Sequence, residues 1–205
     1  EQYIFNKPDE LSPHLVYAGM LIKVGDLDKA KDILLRFKLQ HKDNLEIVSL
    51  LSQVHIKQKE VNDAYKYLQE AILLDPEDPN LRIHLGKLLS DNQYTRIESV
   101  KSLRKALDLD PKNIKAASLL FKSFLIEKEY AKAIELAQYV SKHSPGSPMG
   151  SNMEAMAYLS QNKQEKSISI LKQSLQQFPG DKLSILNLSK IYLSAKAMES
   201  AKQLL

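Results

Sequence analysis

Four prolines recur at an almost constant interval. Pro76, Pro111, Pro145 and Pro179 are separated by 35, 34 and 34 residues, and each lies in a short polar break: LLDPEDP, LDLDPKN, KHSPGSP and QQFPGDK. Proline has no amide hydrogen and fixes its own φ, so it marks where a helix ends instead of sitting inside one. Such a break at a regular interval, with helix-favouring sequence on both sides, confines the chain to tandem helical hairpins. A single hairpin of this kind cannot bury its apolar faces alone, so the copies must stack.

Counting back from each proline gives the packing register. Five residues earlier stand Ala71, Ala106, Val140 and Ser174; eight earlier, Leu68, Leu103, Ala137 and Leu171; twelve earlier, Ala64, Ser99, Ala133 and Ser167. Small residues recur where two helices must approach closely, with mostly larger apolar ones between them. The pattern extends upstream to Ala30, Leu34 and Phe37 and downstream to Ala201 and Leu205. Composition agrees. Only 6 glycines and 8 prolines occur in 205 residues, too few for a turn-rich sheet protein, and a 43% hydrophobic content suffices for a core. With no cysteine, disulfides, zinc–thiolate sites and cysteine nucleophiles are excluded.

On these residues the sequence resembles the tetratricopeptide repeat family, whose unit is a helix–turn–helix of about 34 residues. The resemblance covers roughly residues 11–205. It implies an all-α, right-handed α-solenoid of stacked antiparallel hairpins, with repeats at about 11–44, 45–78, 79–113, 114–147, 148–181 and an incomplete 182–205, after a polar lead at 1–10. No linker interrupts it, so a single solenoid is expected. The family's small eighth position is occupied by Ala18, Ser52, Gly86, Phe121, Ala155 and Ser189, of which Phe121 is too large for the usual notch. The eleventh carries Leu21, His55, Leu89, Phe124, Tyr158 and Tyr192. The third copy holds one extra residue, expected near Asn92–Thr95.

Local chemistry fits that register. Ser12-Pro13, Asp78-Pro79 and Ser147-Pro148 read as N-caps followed by proline at the first helical position. Gly25-Asp26, Asp91-Asn92 and Gln161-Asn162 read as the tight turns inside hairpins.

No catalytic constellation emerges. The histidines, His14, His41, His55, His84 and His143, show no metal-binding spacing, and His55 reads as a buried structural residue. Gly146-Ser147-Pro148-Met149-Gly150 lacks the lysine of a phosphate-binding loop. The S-x-x-K matches at Ser102 and Ser169 have no base or oxyanion partner in view and read as solvated faces. The expectation is a protein that is not an enzyme, with no cofactor and no metal.

A binding surface remains. The resemblance implies that the first helix of each hairpin lines a concave groove, which assigns peptide contacts to Gln53, Lys57, Lys87, Lys115, Lys122, Asn152, Met156 and Lys190. Across all carried-over groove positions, which also include Asn80, Ser118, Met149 and Leu183, the lysines Lys23, Lys57, Lys87, Lys115, Lys122 and Lys190 face only Glu46 and Asp91. Such a groove favours an acidic segment; the same lysines read equally as charges that solvate an open helix face. Met149, Met153 and Met156, spaced i, i+4, i+7, share one helix face. Met153 is expected to pack inside and the other two to reach the groove.

The function expected is a non-catalytic protein–protein interaction scaffold. The alternative is the repeat segment of a larger enzyme or bacterial envelope or secretion assembly, with the chemistry elsewhere. A start at Glu1 and a stop at Leu205 within an expected helix favour that alternative. A chaperone-tail adaptor is excluded because its family's carboxylate-gripping positions hold Leu15, Gly19, Leu50, Asn80 and His84 here. A net charge of +4 is too small for a dedicated nucleic-acid binder. No apolar run approaches the ~20 residues of a bilayer span, so direct membrane insertion is not expected. Bacterial cytoplasm or periplasm is the expected setting. The exposed end at 197–205 is expected to fray or to associate end to end with a second copy.

Overall fold

The computed structural model describes residues 10–194. Among them are eleven helices and no strand. They are α1 Leu11–Val24, α2 Leu27–Gln40, α3 Leu45–Gln58, α4 Val61–Leu74, α5 Pro79–Leu89, α6 Arg96–Leu109, α7 Ile114–Ile126, α8 Tyr130–His143, α9 Met149–Ser160, α10 Gln164–Gln177 and α11 Lys182–Ser194. The polar lead, Ala201, Leu205 and the fraying or self-association expected over 197–205 lie outside the described residues.

The packing divides the chain into two units, Glu1–Leu109 and Asp110–Leu205. The division falls between the third and fourth hairpins. In the first unit α1–α2, α3–α4 and α5–α6 are hairpins, with α2 against α3 and α4 against α5. In the second, α7–α8 and α9–α10 are hairpins, α9 packs on α8, and α11 packs on α10. First helices also meet side by side, with α9 between α7 and α11.

The register read from the prolines is the register of the core. Ala64, Leu68, Ala71, Ser99, Leu103, Ala106, Ala133, Ala137, Val140, Ser167, Leu171 and Ser174 are all buried. Ala30, Leu34 and Phe37 occupy the same places in the first hairpin and are buried too. Burying each leucine contributes about 1.5–3 kcal/mol, while the alanines and serines let backbones approach. Ala71 and Ala106 are wholly inaccessible. Replacing either with leucine is therefore expected to cost about 1–3 kcal/mol in chemical denaturation. An unchanged midpoint would mean that these sites have room to spare.

First helices are capped at a repeating place. Asn44 accepts from Ile47 N at 3.0 Å, Asp78 from Asn80 N at 2.8 Å, Asn113 from Ala116 N at 3.0 Å and Asp181 from Ser184 N at 2.8 Å. Two of the expected cap pairs sit differently. Ser12-Pro13 lies inside the first turn of α1, whose N-cap, Glu10, makes no side-chain cap bond. Pro148 is itself the N-cap of α9, and Ser147 Oγ accepts from Met149 N at 3.3 Å. Proline is tolerated at either place because the first turn has no intrahelical use for its missing N–H.

The turns inside hairpins also repeat. Gly25, Lys59, Lys128 and Asn162 have φ of 91°, 61°, 57° and 60°. The third hairpin differs: α5 ends at Leu89 and six residues intervene before α6, against two between α1 and α2. Thr95 Oγ1 donates to Leu89 O at 2.8 Å and closes this longer connection, which accommodates the extra residue.

Candidate functional site

In the second unit the first helices form a wall with an open recess of about 200 Å³. Ser118, Met149, Asn152, Met156 and Leu183 line it, five of the positions assigned to the groove from sequence. Phe121, Met153 and Asn187 complete it. The three methionines share one face of α9 but differ in exposure. Met153 is buried, whereas Met149 is half-buried and Met156 is 37% exposed. Phe121, oversized for its notch, is buried at 8% exposure and forms part of the lining of the recess. The departure of Phe121 from the small-residue pattern was the available signal for this recess.

Lys115, Lys122 and Lys190 are exposed on α7 and α11. Lys115 and Lys122 bracket Ser118 on one face of α7, and Lys190 lies three and seven residues beyond Asn187 and Leu183 on α11, the spacings that share a helix face. In the first unit Lys57 and Lys87 are exposed on α3 and α5, and Gln53 is half-buried on α3.

Asn152 requires a correction. Read from sequence as a donor to bound peptide, it is 2% exposed and fully engaged within its own unit. Its Nδ2 lies 3.0 Å from Pro148 O, 2.9 Å from Asp181 Oδ2 and 2.9 Å from Ser184 Oγ. Its Oδ1 accepts from Asn187 Nδ2 at 3.0 Å. An amide with its hydrogens so occupied is a fastener between α9 and α11, not a free donor. Burial alone would push the Asp181 carboxyl up. Hydrogen bonds from Ser184 and Asn152 outweigh that and hold it below the usual carboxylate value.

A polar group in the first unit has the residue types of a metal site. His55, Glu60 and Asp63 bring ligand atoms within 4.8 Å of one another. Glu60 Oε2 is taken from both sides, by His55 Nδ1 at 2.5 Å and Lys31 Nζ at 3.1 Å, and these contacts lower its pKa. The His55 ring is buried and stacks on Tyr67 with centroids 5.2 Å apart. This makes His55 a packed residue beside the Lys31–Glu60 ion pair, which ties α2 to the second hairpin. Gly150, the last residue of the glycine-containing loop, likewise has a structural use, allowing α9 to lie directly on the backbone of α8.

The tetratricopeptide repeat family profile matches residues 45–78, the hairpin α3–α4. No curated protein sequence matches the chain. Solved structures share its fold. One is YrrB, described as a TPR protein with an unusual peptide-binding site, with a TM-score of 0.65 at 16% identity over 91% of this chain and 95% of that one. Another is MamA, with a TM-score of 0.66 at 19% identity over 81% and 90%. A third is PilW, described as a widely conserved type IV pilus biogenesis factor, with a TM-score of 0.66 at 14% identity over 93% and 88%. At these identities the likeness is one of fold.

The architecture is thus that of an all-helical repeat protein built from stacked hairpins. The tetratricopeptide repeat profile matches the second hairpin, and the likeness of the rest of the chain to solved structures is one of fold. No helix among the described residues is long and apolar enough to cross a membrane.

Proposed function

We propose that this chain is a non-catalytic scaffold that holds a peptide or protein segment against the wall made by the first helices of its second unit. The observation that carries this reading is the open, mainly apolar recess on α7, α9 and α11, beside exposed lysines on the same helices. A surface with an apolar centre and charged surroundings has the anatomy of a recognition site. Its charge favours an acidic partner, with Lys57 and Lys87 offering the same sign in the first unit.

The test is a pull-down from native extract, followed by affinity and rate measurements on the partner it identifies. An exposed charge pair contributes about 0.2–1 kcal/mol, so Lys122→Glu with Lys190→Glu is expected to lower affinity by roughly twofold to thirtyfold. The loss should appear mainly in the association rate and shrink as salt rises. Lys142→Glu, on the second helix α8, is the control. If that control abolishes binding while the double change leaves it intact, the partner sits on the second helices and the reading fails.

A further inference from the structure

Resting on that reading, we propose that the recess is an anchor site for one large apolar side chain, leucine, methionine or phenylalanine, carried by an acidic protein segment. Size is the first argument. Sites that enclose a small-molecule ligand run to about 300–1,000 Å³, whereas this recess measures about 200 Å³ and opens to solvent. It has room for a side chain presented from outside, and interfaces place their strongest contacts in such pockets.

The walls are the second argument. Phe121 supplies an aromatic surface where the other hairpins carry Ala18, Ser52, Gly86, Ala155 and Ser189. Those small residues show that helix packing at this place does not require a ring. Met149 and Met156 flank it, and the unbranched thioether adapts to apolar guests of differing shape. Leu183, 43% exposed, extends the apolar rim.

Charge sets the rest of the partner. No lining residue is acidic. The nearby carboxylate of Asp181 is turned inward, held by the Asn152 amide and the Ser184 backbone. Lys115 and Lys122 on one side and Lys190 on the other leave a basic margin, so a segment whose anchor is flanked by aspartate or glutamate fits best.

A random twelve-residue peptide library displayed on phage, selected against the full chain, is the probe. Winning sequences should carry acidic residues around one Leu, Met or Phe. In a synthetic winner, changing that residue to alanine should weaken binding on the order of tenfold or more. With methyl-labelled methionine, Met149 and Met156 resonances should shift on titration while Met20, in the first unit, stays fixed. Met156→Ala and Met156→Lys, at a partly exposed rim site and checked for fold by circular dichroism, should remove the apolar preference and leave the acidic one. Winners without an apolar position, an alanine exchange within about twofold, or a selection that yields nothing each overturn the anchor site. If such winners are nevertheless lost in the Lys122→Glu, Lys190→Glu protein, binding along the wall stands and only the anchor is refuted. Winners indifferent to both sets of changes refute both.

Discussion

Gly150→Ala is expected to destabilise the second unit by about 2–3 kcal/mol, although glycine to alanine inside a helix ordinarily stabilises. The ordinary gain, about 0.4–1 kcal/mol, comes from restricting the unfolded chain. Here a methyl carbon would meet Ala137 O and Ser141 N, each at 2.7 Å, as well as Ser141 Oγ. Two of those atoms are backbone and cannot rotate away, so α9 would have to lift from α8. Met149 and Met153 are close neighbours of Gly150 on α9, and both line the recess. The same substitution should therefore distort the recess and weaken any segment anchored there. Gly19 is the internal comparison: it lies within α1 with nothing within 4 Å of an added carbon. Gly19→Ala should hold or raise stability. Denaturant melts of the two variants check the pair, and equal effects would mean that the α8–α9 contact is looser than its geometry.

Phe37→Ala is expected to cost about 3–5 kcal/mol, the largest effect of any single truncation considered. Phe37 is 2% exposed in a cluster with Leu15, Leu34, Ile47 and Leu51, so its removal leaves a cavity between three helices as well as losing burial energy. Its ring also meets the His14 ring at a centroid distance of 4.7 Å and the Arg36 guanidinium at 4.8 Å. In a repeat protein stability is roughly a sum over neighbouring hairpins, so damage concentrates near its source. Hydrogen exchange should accelerate most in α1, α2 and α3, with a much smaller change in α8 and α9. A loss below about 1 kcal/mol would show that the first hairpin contributes little to the folded unit.

The fold was legible because its signals are local and periodic. Prolines close the second to fifth hairpins, and small residues at fixed distances before them, such as Ala71, Ala106 and Ser174, mark where helices touch. Both follow from backbone sterics and close packing, which act the same way in every copy. The caps at Asn44, Asn113 and Asp181 repeat just as regularly and were readable in principle. Ser12-Pro13 drew attention instead, because proline near a helix start is the more conspicuous signal and does not by itself say which residue of the first turn it occupies.

The site was legible only as a set of positions. Repeat register placed Ser118, Met149, Asn152, Met156 and Leu183 on the first-helix faces, and these do line one recess. What each does there depends on partners far away in sequence. Asn152 looked like a donor because an asparagine at a groove position has hydrogens to offer a bound segment. Asp181 and Ser184, some thirty residues on, consume them. Phe121 looked like a packing fault because its notch was read from its own helix, and the recess that it helps to line exists only once α7, α9 and α11 lie side by side. Periodicity along the chain thus dictated the hairpins, their register and their buried faces. Which of the outward positions are spent on holding hairpins together, and which are left for a partner, was decided only by tertiary packing, because hydrogen-bond partners and cavities belong to neighbouring repeats and not to any one of them.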